Sequence, residues 1–219
     1  MKAFIKKHQY NYIRKWLSDL NNALVSCADI KVIAASRAYT QEKIWNLFTD
    51  LSAEEKELLD IAGITCPPHV DKYLAALEEH TYGMPAVSNT QISKLFKKEK
   101  KLKQPSQSIL DSKKVYLGWV DRATNKLFIA YNLEEGLVGM TCRITEPASN
   151  NKHRCMLCGR VGSEEDIAFV ASLCKTPNAG EGTYRSVGFD VCLDSEKCNE
   201  RITSVEKLEQ ILKDVNNMR

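Results

Sequence analysis

Four cysteines in two close pairs carry the chemistry legible in this chain. His153-Arg154-Cys155-Met156-Leu157-Cys158-Gly159 holds a C-x2-C pair followed by glycine. Cys192-Leu193-Asp194-Ser195-Glu196-Lys197-Cys198-Asn199 holds a C-x5-C pair. The first has the form of a knuckle, a tight turn whose second thiolate is approached by backbone N–H groups. Thiolates are soft ligands, and four of them complete a tetrahedron around Zn²⁺ with Zn–S bonds of about 2.3 Å. We read Cys155, Cys158, Cys192 and Cys198 as the ligands of one structural Zn²⁺. Four protein ligands leave no position for water, so a Lewis-acid role is not expected. His153 and Cys174 are alternative ligands without pair spacing. A four-thiolate zinc site is formally a dianion, and Arg154, Arg160, Lys197 and Arg201 are the cations close enough in sequence to offset it.

The chain has 219 residues, 43% hydrophobic and 27% charged, which describes an ordinary globular protein of one large or two modest domains. No apolar run approaches the roughly 20 residues a membrane span needs. The start, Met1-Lys2-Ala3-Phe4-Ile5-Lys6-Lys7-His8, has no apolar signal core. Eight cysteines without a secretory signal point to a reducing, cytoplasmic setting and to metal binding rather than disulfides. The net charge is +3, and Lys94–Lys103, with six lysines and one glutamate, holds the positive excess. A near-neutral protein with one basic stripe is not a general nucleic-acid coat.

The elements that position these groups follow from periodicity. Ile13, Trp16, Leu17, Leu20 and Leu24 share one face of a helix over 9–27. Asp29 caps a second helix with Ile30, Ile33, Ala34, Ile44, Leu47 and Phe48 as its stripe. Ser52 and Glu55 form a capping box before a third, containing Leu58, Leu59 and Ala62 and ending at Gly63. Pro67-Pro68 breaks the chain before a fourth, with Val70, Tyr73, Leu74 and Leu77 inward. Trp16 and Trp45 are expected in the core, and His8, His69 and His80 are isolated. Short links favour an antiparallel helical bundle over 1–87. A second domain over 88–219 opens on a basic helix, 89–103, with Lys94, Lys97, Lys98 and Lys101 on one stripe.

From Lys114 the period becomes two, predicting a β-meander over 114–144 with turns at Asn125 and Gly136. Gly118-Trp119 suggests a ring packed where a side chain is absent. Within a zinc finger spanning 153–219, Ile167–Leu173 and Tyr184–Val191 read as strands and Thr176–Gly182 as a mobile loop. A capping box at Thr203–Glu206 opens a last helix with Val205, Leu208, Ile211, Leu212 and Val215 inward. Cys27, Cys66 and Cys142 read as packed thiols. The fold class is therefore α+β: a helical bundle, then antiparallel strands with a treble-clef-like zinc finger.

Several strings resemble one family. They are His8-Gln9-Tyr10-Asn11-Tyr12-Ile13-Arg14, Lys94-Leu95-Phe96-Lys97-Lys98, Gly118-Trp119, Cys155-x2-Cys158 and Cys192-x-Asp194-Ser195-x2-Cys198-Asn199. From Gln9 to the last helix the chain resembles the elongation factor G-binding proteins, the group that includes FusB-type fusidic acid resistance proteins. The resemblance implies a cytosolic bacterial protein that binds elongation factor G, mainly through its zinc-finger domain. In the resistance proteins this binding frees the factor from a ribosome on which the drug has trapped it.

Interface hot spots favour aromatic residues and arginine. On the knuckle and on Lys175–Phe189 these are Arg154, Tyr184, Arg185 and Phe189, with Lys175 as a rim charge. Family members carry an aromatic residue where this chain has Arg154. No nucleophile–base pair, phosphate loop or paired carboxylates suggest an enzyme. A monomeric binding protein is expected, and the competing reading is a zinc-finger RNA- or ribosome-binding module that uses the lysine stripe. If zinc supplies folding energy here, Cys192→Ser unfolds the C-terminal domain and leaves the helical bundle intact. Near-UV circular dichroism and zinc content unchanged in the variant would contradict this.

Overall fold

Helical spacing governs the first part of the chain and alternation the second, and the computed structural model divides between Tyr82 and Gly83 accordingly. It describes residues 2–133, 136–145, 151–175 and 184–218, so the expected loop Thr176–Gly182 lies outside the described residues.

The first unit contains β1 (Ile5–Lys6), α1 (Lys7–Ser26), α2 (Ile30–Trp45), α3 (Ala53–Leu58), α4 (Pro67–Glu79) and β2 (Thr81–Tyr82). Tyr10, Ile13, Leu17 and Leu20, at three- and four-residue spacing, turn one face of α1 inward. They meet Ile44, Leu59, Ile61, Ile64, Val70 and Leu77 in a single core. Asp29 accepts from Lys31 N, and Ser52 and Glu55 exchange both bonds of a capping box. Pro67 sits at the first turn of α4, where its missing N–H leaves no bond unmade. A parallel ladder pairs Ile5 with Thr81 and Lys6 with Tyr82, closing the helices. Gln41 binds the segment after α3 from both ends of its amide: Nε2 donates to Leu59 O at 3.0 Å and Oε1 accepts from Ile61 N at 2.7 Å.

Three sequence expectations change in this unit. The inward stripe of α2 shrinks to Thr40, Gln41 and Ile44, while Ile30 is 80% and Trp45 47% exposed. Ala34 is exposed as well. The helix meets the core along its C-terminal half, so Ile30 and Ala34 lie outside it, and Trp45, next to the buried Ile44, is on the outward face. The third helix stops at Leu58, and Leu59 serves as its C-cap rather than a later residue.

The second unit carries α5 (Asn89–Leu95), α6 (Gln107–Asp111), β3 (Leu117–Asp121), β4 (Lys126–Leu133), β5 (Gly136–Ile144), β6 (His153–Arg154), β7 (Val161–Gly162), β8 (Ile167–Leu173), β9 (Ser186–Cys192), α7 (Ser195–Asn199) and α8 (Glu206–Asn216). Met84 belongs to this unit, donating from its N–H to Lys114 O at 2.8 Å. The strands form one antiparallel sheet in the order β3-β4-β5-β8-β9. Asn125, at φ 53°, makes the β3–β4 turn in the left-handed region that asparagine tolerates. The expected meander is thus continuous with the zinc-finger hairpin through β5–β8 pairing, Cys142 opposite Ser172 and Ile144 opposite Val170.

Alternation sends the two faces of the sheet to two cores. Leu127, Ile129, Met140, Val170 and Val191 pack with Leu208, Ile211, Leu212 and Val215 of α8. Leu117, Trp119, Phe128 and Ala130 pack with Val87, Ile92, Phe96 and Leu110. Trp119 stacks on Phe128 at 5.1 Å, and Phe96 meets both edge-on, at 5.5 and 5.2 Å. This aromatic cluster explains why the basic helix ends at Leu95 instead of 103. Phe96, at φ −106° and ψ 36°, leaves the helix to reach the rings. Gly139 makes room: a Cβ there would lie 2.8 Å from Phe96 Cζ. The capping box of the last helix does not form either, because Val205 is its N-cap and Ser204 Oγ accepts from Glu206 N at 3.3 Å.

His8 gives the first unit a pH signature. Burial first, and Lys6 second, lower its pKa from 6.5 to about 4. Between those values the unfolded chain binds the proton and the folded chain does not, so stability falls as pH drops from 6.5 to about 4. His8→Gln flattens that part of the curve for the first unit. Denaturant titrations at pH 7 and pH 4.5 read the effect, and an equal loss in both proteins would exclude it.

Candidate metal centre

Cys155 and Cys158 enter from the knuckle. Cys155 N donates to Arg160 O at 2.8 Å and Gly159 N to Cys155 O at 2.9 Å, a turn closed by Gly159 at φ 74°. The knuckle is fastened to the sheet by Met156 N donating to Asp190 O at 2.8 Å. Cys192 is the last residue of β9, and Cys198 lies in α7, whose N-cap Asp194 accepts from Lys197 N at 3.0 Å.

The four Sγ atoms lie within 4.8 Å of one another, with Cys155–Cys198 at 3.9 Å and Cys158–Cys192 at 3.6 Å. A tetrahedron of sulfurs with bonds of about 2.3 Å to its centre has edges of about 3.8 Å. The spacing therefore fits Zn²⁺, and it is far from the roughly 2.05 Å of a disulfide. All eight cysteines are free. Without a cation the sulfurs compete for protons. Hydrogen bonds from Cys158, then Cys192 and Cys198, hold Cys155 as a thiolate well below the usual thiol range, and the bond to Cys155 pushes Cys198 and Cys192 up. A divalent ion removes that conflict by taking all four as thiolates and releasing protons.

The residues that hold this site in place were not singled out for that role from the sequence. Asn199, 7% exposed, makes four bonds. Its Oδ1 accepts from Val115 N at 2.7 Å and Tyr116 N at 3.0 Å, and its Nδ2 donates to Tyr116 O at 2.9 Å and Ser195 O at 2.8 Å. Ser195 Oγ donates to Gly118 O. α7 is thereby tied to the start of β3, far away along the chain. Gly118 is required by this approach, because a Cβ there would lie 2.8 Å from both Ser195 Cβ and Tyr116 Cε2. Tyr116, 1% exposed, is the ring that packs where Gly118 has no side chain. Burial first, then the charge of Cys198 and its hydrogen bond, raise the Tyr116 pKa well above 10, so its O–H stays protonated and donates to that sulfur. The string Asp194-Ser195…Cys198-Asn199 carried the signal, but not the partners.

Three of the four cations expected to balance the thiolates have other partners, and Arg154 keeps its guanidinium beside the knuckle glycine, Nη2 lying 3.7 Å from where a Gly159 Cβ would be. Arg160 pairs with Asp166 at 3.0 Å, Lys197 with Asp194 at 3.1 Å, and Arg201 donates to Lys197 O at 3.1 Å. His153 is not among the four-sulfur group: Nδ1 lies 3.0 Å from Asp190 Oδ1 and Nε2 3.1 Å from Glu164 Oε1. The Glu164 bond first, and Asp190 after it, raise the pKa of His153. Cys174 is also apart, its N–H donating to Arg185 O at 2.8 Å. Cys142 is a buried thiol, pushed up to about 12 by burial, whereas Cys27 and Cys66 are half-buried.

The expected partner-contact residues divide by exposure. Tyr184 is 74% exposed, and Arg154 and Arg185 are exposed. Lys175 is exposed, with Nζ donating to Asn216 Oδ1 at 2.7 Å. Phe189 departs from expectation: at 4% exposed it packs in the core with Val170 and Val191, so its ring is not a surface contact. β9 begins at Ser186, placing Tyr184 before the strand and Phe189 on its inward face.

A knuckle, a hairpin, and a helix that supplies the last ligand define a treble-clef zinc finger, with one structural zinc. Residues 4–85 match the N-terminal model of the elongation factor G-binding proteins, and residues 90–218 match the model of their C-terminal treble-clef zinc finger. The chain belongs to the elongation factor G-binding protein family, whose partner by the family's description is elongation factor G. Its fold is similar to that of the fusidic acid resistance protein FusC, with a TM-score of 0.77, 21% identity, and 98% of each chain covered. No curated protein matches the chain. No helix among the described residues is long and apolar enough to cross a membrane.

Asn199→Ala removes one partner from two buried N–H groups and from two carbonyls, at about 1–3 kcal/mol for each group thereby left unpaired where water cannot reach. Zinc affinity falls about 10–100-fold, as for other supporting residues of metal sites, and Asn199→Asp, which keeps the acceptor, falls in between. Competition with a chromogenic chelator measures this; wild-type affinity in Asn199→Ala would refute the clamp.

Proposed function

We propose that this protein is a non-catalytic, monomeric cytoplasmic partner of elongation factor G that promotes its release from the ribosome. The observation that carries the reading is membership of the elongation factor G-binding family over both units. Cys155, Cys158, Cys192 and Cys198 hold one Zn²⁺, and the ion fixes the surface around the knuckle and the β8–β9 hairpin. Arg154 at the knuckle end and Tyr184 and Arg185 at the opposite end of the hairpin are the contact residues, with Lys175 as a rim charge. Their exposure supports the assignment, and a large aromatic side chain beside arginine is the composition of an interface hot spot.

Release needs differential affinity rather than chemistry. A ribosome-bound factor is held in one arrangement of its domains. A partner that binds another arrangement more tightly shifts the population toward dissociation by the ratio of the two affinities. A ligand with equal affinity for both shifts nothing. The same ratio acts on a factor trapped by fusidic acid, which is the drug named for the structural neighbour FusC.

Calorimetric titration of the cognate elongation factor G tests the reading. Binding is expected at micromolar concentration or tighter, to weaken at least tenfold in Tyr184→Ala/Arg185→Ala, and to be lost after chelation of zinc. No heat of binding from the zinc-loaded protein would end the proposal. Growth of a sensitive bacterium expressing the chain on fusidic acid reads, separately, whether release extends to the drug-trapped complex.

A further inference from the structure

We infer that the segment Lys94–Lys103 is a binding element for the phosphate backbone of RNA, independent of the surface that meets elongation factor G. Lys94, Lys97, Lys98, Lys100, Lys101 and Lys103 are all exposed. Among the described residues, Lys94, Lys97, Lys98, Lys100 and Lys101 enter none of the ion pairs. The one acid of the segment, Glu99, is neutralised by Lys126 at 2.7 Å, a lysine brought from β4. The positive charge of those five lysines is therefore not offset by an ion pair among the described residues.

The segment is held in a fixed shape. The sequence predicts a helix through 103 with Lys94, Lys97, Lys98 and Lys101 on one stripe. Instead the helix ends at Leu95 and the chain is fastened at several points. Phe96 enters the aromatic cluster, Trp119 Nε1 donates to Lys103 O at 2.9 Å, and Gln104 Nε2 donates to Ser93 Oγ at 2.9 Å. Pro105 is buried. A fixed backbone displays the ammonium groups without the ordering cost of a free coil.

The chemistry selects the partner. Every apolar side chain here, Leu95, Phe96, Leu102 and Pro105, is buried or half-buried, and the segment has no arginine. It thus offers neither an exposed ring for stacking on bases nor an aromatic or arginine anchor for a protein hot spot. Lysines alone are compact point charges suited to phosphates, which gives binding that does not depend on base sequence. The chain as a whole, at a net charge of +3, adds little, so the contact is local and salt-sensitive.

Fluorescence anisotropy of the full chain with a labelled RNA hairpin tests this. Each phosphate neutralised contributes about 0.7–0.9 to the slope of log affinity on log salt. Four contacts give a slope of about −3, so raising KCl fourfold, from 50 to 200 mM, weakens binding about 60-fold. Lys97→Glu/Lys98→Glu/Lys101→Glu lowers affinity at least tenfold, the corresponding arginine triple keeps it, and Lys31→Glu/Lys72→Glu leaves it unchanged. All the substituted residues are exposed, and zinc content checks the fold. The charge-reversed triple still binds elongation factor G with wild-type affinity, which separates this surface from the one proposed above. The inference is overturned by RNA binding that is unchanged in the triple, by no RNA binding at 50 mM KCl, or by polyglutamate displacing RNA at equal charge, since that outcome assigns the segment to an acidic protein.

Discussion

Four sulfur atoms held within 4.8 Å of one another are the constraint on which the second unit depends. Such a cluster is unfavourable as thiols that share protons and more so as bare thiolates, and a divalent cation makes it the lowest-energy arrangement. The ion joins the knuckle to the end of β9 and to α7, 34 or more residues further along the chain. Asn199 and Ser195 extend the tie from α7 to residues 115–118, so the metal is coupled to the first strand of the sheet as well as to the last. Removing the ion therefore acts on a five-stranded sheet, not on an appended finger.

This arrangement separates support from recognition. The ligands are buried or half-buried, and they complete their own coordination. What remains accessible lies at both ends of the β8–β9 hairpin: Arg154 on β6 beside the ligands, and Tyr184 and Arg185 at the opposite end, ahead of β9. Under the proposed function the protein favours one conformation of elongation factor G and needs a rigid face, because flexibility at the contact would let it follow both conformations and discriminate neither. The zinc clip, the His153 bridge from β6 to Asp190, and the continuous β5–β8–β9 ladder all stiffen that face.

The metal centre was legible because its chemistry is local. Cysteine pairs, a glycine after the knuckle and a capping aspartate are recognisable at short range, and β8 has the bounds that its alternation gives, Ile167–Leu173. What was not legible depends on partners far along the chain. Asn199 bonds residues 83 and 84 positions away, and no local pattern reveals them. The continuity of meander and hairpin lies in β5–β8 pairing, which spacing does not encode. Phe189 and Tyr184 both have the type of an interface residue, and position decides between them: Phe189 lies on the inward face of β9 and Tyr184 before the strand. In α2 the apolar residues Ile30 and Trp45 suggest burial, but the helix meets the core only along its C-terminal half, which leaves Ile30 out, and Trp45, next to the buried Ile44, falls on the outward face. The basic helix ended early because Phe96 found a better site in the ring cluster than on a helix face.

Hydrogen exchange of the zinc-loaded and chelated protein tests the central claim most directly. The account predicts that chelation removes protection together from the knuckle, β9, α7 and the amides of Val115 and Tyr116, while the amides of α1 and α4 keep theirs. Unchanged protection at Val115 and Tyr116 after complete zinc removal would contradict it.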